Sequence, residues 1–422
     1  MSERFIINGG KPLNGVVEIS GYKNAAGACL AAALLTDEEV ILENLPLVED
    51  VFKLLKILES LEAEINWSLN EKKVKIKAGS NLNPERMEFG LVGETRVSVL
   101  LLGSLLSRFG RFKISHPGGD RIGIRPITTH LEALRKLGAE IKNEGDFYYF
   151  DAQNLHGGEI ILKEFSVTAT ENVMMAAVRA PGKTIIKGAA AEPQVQDLGK
   201  MLNSMGAKIE GLGTHTISIE GVEKLKGTCH KIVADPLETG TFIVAGVITP
   251  GEVEIRNVVP DHLDVFLDKL EEIGVDLKRG SDFLKVNFSP NLKATRVQAL
   301  PYPGFPTDLL PIILPLLTQA EGKSLIHDPL YENRFNYVQE LKKMGADIEI
   351  VDPHRAFVYG KTPLRGLRIE SWDIRAGASL IIAAILAEGK TIIENISQID
   401  RGYEKIEEKL QKLGADIRRV KE

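Results

Sequence analysis

One short motif recurs six times along this chain, and it limits the architecture more than any other feature. The copies are Leu61-Glu62-Ala63-Glu64-Ile65, Leu137-Gly138-Ala139-Glu140-Ile141, Met205-Gly206-Ala207-Lys208-Ile209, Ile273-Gly274-Val275-Asp276-Leu277, Met344-Gly345-Ala346-Asp347-Ile348 and Leu413-Gly414-Ala415-Asp416-Ile417. Their starts are separated by 76, 68, 68, 71 and 69 residues. A period near 70 is too long for one turn of a thin solenoid, whose repeats run to roughly 20–50 residues, and it fits a small α/β unit used six times.

Within each repeat the order of elements is constant. A very apolar helix comes first, then a Gly turn and a β-rich strand, as in 180–187, 249–256, 320–327 and 387–394, with looser copies over 37–43 and 109–114. A second helix follows, with its apolar residues on one face. Leu263, Phe266, Leu267 and Leu270 stand at i, i+3, i+4 and i+7. The Gly that ends it (Gly274, Gly345, Gly414) sits where a left-handed C-terminal cap belongs, and a closing strand comes next. The first helices, such as 25–35, 241–247 and 376–387, are apolar on every side, and helices of that kind are buried all round. The pattern predicts an α/β fold with helices inside and sheets outside. One core of six units would exceed the size at which chains divide into domains, so two halves of three repeats are expected.

A short polar segment precedes each apolar helix: 20–24, 93–96, 166–170, 237–240, 305–308 and 372–375. Helix N-termini present unpaired N–H groups and partial positive charge, and so favour anions. Ser, Thr and Asp there are ordinary N-caps. Lys23, Arg96 and Arg375 are not, because cations oppose the dipole. If the buried helices of each half run parallel, these cations gather at one face, and two such faces opposed would form a cleft for phosphates and carboxylates. Residues 117–126 hold three Gly and two Pro and read as a mobile loop carrying Asp120, Arg121 and Arg125. Arg334 and Arg401 each stand at the start of an amphipathic helix in successive repeats, and guanidinium suits bidentate anion binding.

Other chemistries find no support. The net charge is −6 with no basic block, which argues against nucleic acid. Two distant cysteines, Cys29 and Cys229, make no disulfide framework and point to a reducing cytoplasm. The first residues lack the apolar run of a signal peptide, and no apolar stretch approaches the roughly 20 residues that cross a bilayer. The eight His show no metal-ligand spacing, and Walker, dinucleotide and nucleophile-elbow motifs are missing, so neither metal nor cofactor is expected. The chemistry must come from Lys, Arg and Asp acting on an anionic substrate.

Residues 20–26, the 117–126 loop, Glu238-Thr239-Gly240-Thr241-Phe242, Phe305-Pro306-Thr307-Asp308, Glu332-Asn333-Arg334-Phe335 and Asp400-Arg401-Gly402-Tyr403-Glu404 together resemble the enolpyruvyl transferase family, in order and over essentially the whole chain. The resemblance implies a two-domain inside-out α/β barrel of six βαβαββ repeats, three per domain, with buried parallel helices. Residues 1–21 with 234–422 would form the catalytic domain, and 22–233 the domain carrying the mobile loop 115–126. It implies transfer of the enolpyruvyl group of phosphoenolpyruvate to the 3'-hydroxyl of UDP-N-acetylglucosamine with release of phosphate, by addition then elimination, the first committed step of peptidoglycan synthesis. Those two substrates would be the partners of a cytoplasmic monomer that needs no cofactor.

Carried over by position, the resemblance assigns the phosphate of phosphoenolpyruvate to Lys23 and Arg125, with Arg96 in support. It assigns the carboxylate to Arg334 and Arg401, with Arg375 nearby, and makes Asp308 the general base and Asn24 an orienting group for the sugar. Pro126, Ser166, Val167 and Leu330 fall among its substrate-binding positions. Asp120 stands where most relatives have Cys, and would deliver the proton to C3 of the enol. Thr128, Glu164, Thr168 and Ala191 depart from the family pattern on the nucleotide side, which keeps open a paralogue acting on another nucleotide or nucleotide-sugar. A non-catalytic binding paralogue should lack one of Lys23, Arg125, Asp308 or Arg401, and all four are present.

Overall fold

A computed structural model describes residues 3–119 and 125–421. The fold is mixed α/β, and the chain divides into two compact units: residues 21–119 with 125–233, and residues 3–20 with 234–421.

In the first unit the helices are α1 (Lys23–Ala32), α2 (Glu49–Ser60), α3 (Phe89–Glu94), α4 (Leu101–Phe109), α5 (Thr128–Lys136), α6 (Val167–Ala177) and α7 (Pro193–Ser204). In the second they are α8 (Pro236–Ile248), α9 (Asp264–Ile273), α10 (Leu310–Leu317), α11 (Val338–Lys343), α12 (Ile374–Leu386), α13 (Ser397–Asp400) and α14 (Ile406–Lys412). Every residue of α8 and α10 is buried, as are all but one or two of α1, α6 and α12. Small residues let these helices approach closely. A Cβ on Gly103 of α4 would lie 2.2 Å from the Asn172 carbonyl oxygen of α6, whose side chain accepts the Gly103 N–H at 2.6 Å.

The strands alternate as a one-sided sheet requires. In Glu252–Arg256, Val253 and Ile255 are fully buried while Glu252 and Arg256 face out. Each such side chain contributes roughly 1.5–3 kcal/mol by leaving water.

The recurring motif is a helix stop. In all six copies the second residue has positive φ: Glu62 (70°), Gly138 (97°), Gly206 (99°), Gly274 (99°), Gly345 (107°) and Gly414 (104°). The next N–H then reaches the carbonyl five residues back, Ala63 to Leu58, Ala139 to Leu134, Ala207 to Leu202, Val275 to Leu270, Ala346 to Leu341 and Ala415 to Leu410. This is the Schellman geometry, which satisfies carbonyls at the helix end and turns the chain directly into a strand.

The sheets show how the repeats are stitched together. Arg296–Gln298 pairs in parallel with Gly322–His327, and the hairpin Asp347–Asp352/Arg355–Gly360 completes that sheet antiparallel. The same order recurs with borrowed strands. Gly15–Glu18 precedes α1 in sequence but pairs with Glu252–Arg256 after α8, whereas Thr228–Lys231 precedes α8 but pairs with Glu39–Glu43 after α1. The strand Glu3–Asn8 lies between Lys390–Glu394 and Asp416–Lys421, and so closes the last repeat. Among the described residues, one sheet, Arg111–Ser115 with Phe147–Asp151 and Glu140–Glu144, has three strands rather than four.

Some helix starts differ from the sequence reading. Helix α8 begins at Pro236, not after Gly240, because Asp235 accepts the Leu237 and Glu238 N–H groups and Pro is favoured at the first helical position. Ser166 caps α6 and Asp373 caps α12, so Val167 and Arg375 lie inside their helices. Gly93 and Glu94 end α3 instead of leading into the next helix, and Thr95 caps a 3-10 segment, Arg96–Leu100. Arg334 lies in turns ahead of α11, and Arg401 caps the C-terminus of α13, so neither starts the helix proper. No described helix is long and apolar enough to cross a membrane.

Candidate active site

The unit holding α8–α14 concentrates charge around Asp308. This residue lies in a 3-10 turn, Thr307–Leu309, at the N-terminal end of α10. One carboxylate oxygen meets Arg334 Nη2 and the other accepts from Arg375 Nε at 3.3 Å. Arg334 is 2% exposed, and its Nε stands 3.5 Å from the fully buried Asp328. Its guanidinium also donates to Thr307 Oγ1 at 3.3 and 3.2 Å, and Thr307 donates to Asp328 at 2.6 Å. Burial works against a charge at Arg334, but Asp308, Asp373 and Asp328 more than offset it and hold the guanidinium above its ordinary pKa. Arg375 lies over the Tyr403 ring at 5.2 Å, and the Tyr403 hydroxyl is 2.8 Å from Thr241 Oγ1. Two buried cations are therefore fixed from behind by carboxylates and an aromatic face, with Asp308, about a third exposed, bridging them. Arg401 is half-buried and donates to Gln398 at 3.2 Å, and Leu330 is exposed, its N–H held by Asp328 at 2.9 Å.

The other unit carries the second set of cations. Lys23 is the first residue of α1 and is buried, and its ammonium donates to Asp50 of α2 at 2.9 Å. Asp50 is 1% exposed, so this is an ion pair out of water. Its sequence setting, one acid in an amphipathic helix, did not single it out. Asn24 donates to the Tyr22 hydroxyl at 3.2 Å. Gly118 and Gly119 bring the loop backbone close: a Cβ on Gly118 would lie 2.0 Å from the Gly93 carbonyl oxygen. Gly119 has φ +132°, and a Cβ there would lie 2.8 Å from Arg96 Cβ and 3.4 Å from Arg125 Nη1. Arg96 in turn donates to the Pro126 carbonyl at 3.4 Å. Arg96, Arg125 and Pro126 thus converge on the base of the loop. Asp120 and Arg121 lie outside the described residues.

Of the positions expected on the nucleotide side, Thr128, Glu164 and Thr168 lie on or beside α5 and α6. Ser166 Oγ accepts the Ala169 N–H at 3.3 Å as the α6 cap, and Val167 opens the helix. Thr168 Oγ1 lies 2.7 Å from His130 Nε2. Burial, aided by the charge on Arg96, pushes the His130 pKa down to about 3, so its ring is neutral. Glu164 accepts from Thr129 at 2.7 Å, next to Thr128, the first residue of α5. Ala191 is buried at the approach to α7. His130 was not among the residues singled out from sequence, since a lone His carries no spacing signal.

The sequence matches the family of EPSP synthase (3-phosphoshikimate 1-carboxyvinyltransferase) over residues 7–410. The chain belongs to the EPSP synthase family. It is 46% identical over 422 residues to the UDP-N-acetylglucosamine 1-carboxyvinyltransferase of Koribacter versatilis, covering 100% of this chain and 97% of that one. It is 45% identical to the enzyme of the same name from Halothermothrix orenii, covering 99% and 100%. Among solved structures, the enolpyruvyl transferase NikO from Streptomyces tendae superposes with a TM-score of 0.91 at 26% identity, covering 99% of each chain. An EPSP synthase from Acinetobacter baumannii shares the fold, with a TM-score of 0.77 at 20% identity over the whole of both chains. Membership in the EPSP synthase family makes the chain an enzyme.

Proposed function

We propose that this enzyme transfers the enolpyruvyl group of phosphoenolpyruvate to the 3'-hydroxyl of UDP-N-acetylglucosamine, releasing phosphate, as a step in building peptidoglycan. The observation that carries the reading is Asp308 held between Arg334 and Arg375. Full-length relatives at 45–46% identity bear the name of this activity. In this reading each unit is an inside-out barrel of three βαβαββ repeats, and the enzyme works as a cytoplasmic monomer.

The charges suit the reaction. Lys23 and Arg125, with Arg96, take the phosphate, while Arg334 and Arg401 take the carboxylate. Asp308 bridges Arg334 and Arg375. A substrate carboxylate arriving at Arg334 competes for that cation and frees Asp308 to accept the sugar hydroxyl proton as the oxygen attacks C2. Asp120 protonates C3. In the second step the Asp120 carboxylate takes a proton back from the new methyl group, the double bond re-forms, and phosphate departs from C2 with the proton that Asp308 had accepted. The fixed cations stabilise negative charge as it develops, with no rearrangement of solvent. Asn24, Pro126, Ser166, Val167 and Leu330 orient the acceptor.

A second reading changes only the acceptor. Thr128, Glu164 and Thr168, by α5 and α6, and Ala191, ahead of α7, are where the chain departs from the family pattern, and they suit another nucleotide or nucleotide-sugar. The test is phosphate release from phosphoenolpyruvate with UDP-N-acetylglucosamine, UMP, UDP-glucose or shikimate 3-phosphate as acceptor. Release with UDP-N-acetylglucosamine alone is the expected result. Release with a different acceptor alone transfers the proposal to that acceptor, and no release with any of them refutes it. Asp120→Asn should abolish turnover while leaving phosphoenolpyruvate binding intact; unchanged turnover would remove Asp120 from the mechanism.

A further inference from the structure

The unit holding α1–α7 contains a second cluster of chemically capable side chains, apart from the residues assigned above. Cys29 of α1, Asp197 of α7 and His230 of the strand Thr228–Lys231 place a sulfur, a carboxylate oxygen and an imidazole nitrogen within 4.8 Å of one another. These residues are 168 and 33 positions apart, which is why no spacing rule revealed them. We propose that Cys29, Asp197 and His230 form a binding site for a borderline divalent transition metal, zinc(II) being the best fit, which clamps α1 to α7 and to the neighbouring sheet.

Several observations carry this. The donor set is one that zinc accepts, with three protein ligands leaving a fourth position open. His230 Nε2 and Asp197 Oδ1 are 3.1 Å apart. Two ligands at zinc distances of roughly 2.0–2.2 Å in a tetrahedral site stand about 3.4 Å apart, so that pair needs almost no movement. The other Asp197 oxygen accepts the Val233 N–H at 3.3 Å, which fixes the carboxylate as supporting hydrogen bonds do around metal ligands. Cys29 is fully buried and Asp197 nearly so, while the His230 side chain is 13% exposed and offers an entry path.

On binding, the Cys29 thiol gives up one proton to solvent and becomes a thiolate. His230 binds as neutral imidazole through Nε2, with its proton on Nδ1, and releases the hydrogen bond to Asp197. Cys29 is six residues along α1 from Lys23, about 9 Å at the helical rise. The ion would therefore brace the helix that carries Lys23 without touching the reacting groups.

The test uses the full chain, stripped with chelator and titrated with cobalt(II) and then zinc(II). Cobalt bound to a thiolate shows a sulfur-to-metal charge-transfer band, which zinc bleaches. The expected result is one such site per chain, present in Cys229→Ser, absent in Cys29→Ala, and at least about tenfold weaker in His230→Gln. With free zinc at 100 times Kd, the folded-to-unfolded ratio of the stripped protein should rise about 100-fold. Cys29→Ala suits its Ala-rich helix, and its metal-free melting curve checks that it folds. A band that persists in Cys29→Ala but vanishes in Cys229→Ser would overturn the proposal in favour of surface binding at the exposed Cys229. The complete lack of a charge-transfer band in the stripped wild type would overturn it outright.

Discussion

Asp50→Asn tests the reading of Lys23 at its most exposed point, the cost of the charge. The Lys23 ammonium is 2.9 Å from Asp50, and the two side chains are only 10% and 2% exposed. Removing the carboxylate leaves a cation stranded out of water, which costs roughly 3–5 kcal/mol when a buried pair is broken from one side. In a unit of some 200 residues each kcal/mol moves Tm by about 2–4 °C, so the transition of the unit containing α1 should fall by about 10 °C. The functional reading adds a second signature. If Lys23 is there to meet a phosphate, an anion can replace the lost partner, so inorganic phosphate or phosphoenolpyruvate should raise the Tm of Asp50→Asn by more than that of the wild type. The double variant Lys23→Met/Asp50→Leu removes both charges. It should recover most of the stability, because well-packed apolar replacement of a buried pair is near neutral or better, yet it should not turn over. Calorimetry with and without phosphate, beside phosphate-release kinetics, reads all of this. The reasoning fails if Asp50→Asn melts with the wild type, or if its melting responds to phosphate no more than the wild type does.

Asp308→Asn should lower kcat by a factor on the order of 10²–10⁴ while phosphoenolpyruvate still binds, the usual range for loss of a positioned base; an unchanged kcat would exclude Asp308 as base. Burial pushes the Asp235 carboxyl up to about 6, although Arg375 opposes the shift. Between the unfolded pKa near 3.9 and 6 the folded state holds more protons, so stability falls as pH rises through that window, by about 3 kcal/mol. Asp235→Asn keeps the α8 cap without the ionisation, so it should melt above the wild type at pH 8 and level with it near pH 4; an equal gap at both pH values would refute this. Glu62 takes the left-handed conformation that Gly fills in the other five copies. Glu62→Gly should therefore be about 1 kcal/mol more stable than Glu62→Ala by chemical denaturation, the reverse of the order in a helix interior. Equal stability of the two would show that the backbone strain at this turn is negligible.

Much of the site was legible because charge at a helix start is conspicuous. Lys23 and Arg375 drew notice as cations set against the dipole, and they lie in the first turns of α1 and α12. Arg334 drew notice through the likeness between Arg334 and Arg401, but its true setting, buried against Asp328 and Thr307, was not readable. Asp50, Asp328 and His130 went unremarked for one reason. Asp50 and His130 act through partners 27 and 38 residues away, and Asp328 is tied to Thr307, 21 residues back, as well as to Arg334; nothing local distinguishes an acid that meets a buried cation from one that meets water. The helix starts at Pro236 and Ile374 were misplaced by a few residues because the caps, Asp235 and Asp373, show themselves only when their carboxylates meet the backbone N–H groups.

What the sequence by itself determined was local and periodic. Apolar content all round marked the buried helices, a 3.6-residue stripe marked the second helices, and a Gly-Ala/Val step ended five of the six second helices, with Glu62 in the sixth, in a turn of positive φ. These follow from short-range sterics and solvation, which each residue carries with it. What only the tertiary structure decided was pairing over distance. Gly15–Glu18 and Thr228–Lys231 exchange places, Glu3–Asn8 closes a sheet with strands near the far end of the chain, and Cys29, Asp197 and His230 come together from three elements. A strand carries the same alternation whichever neighbour it joins, and a carboxylate the same charge whichever cation it meets. The choice among partners is made by the packed whole, where burying every apolar face at once leaves one arrangement.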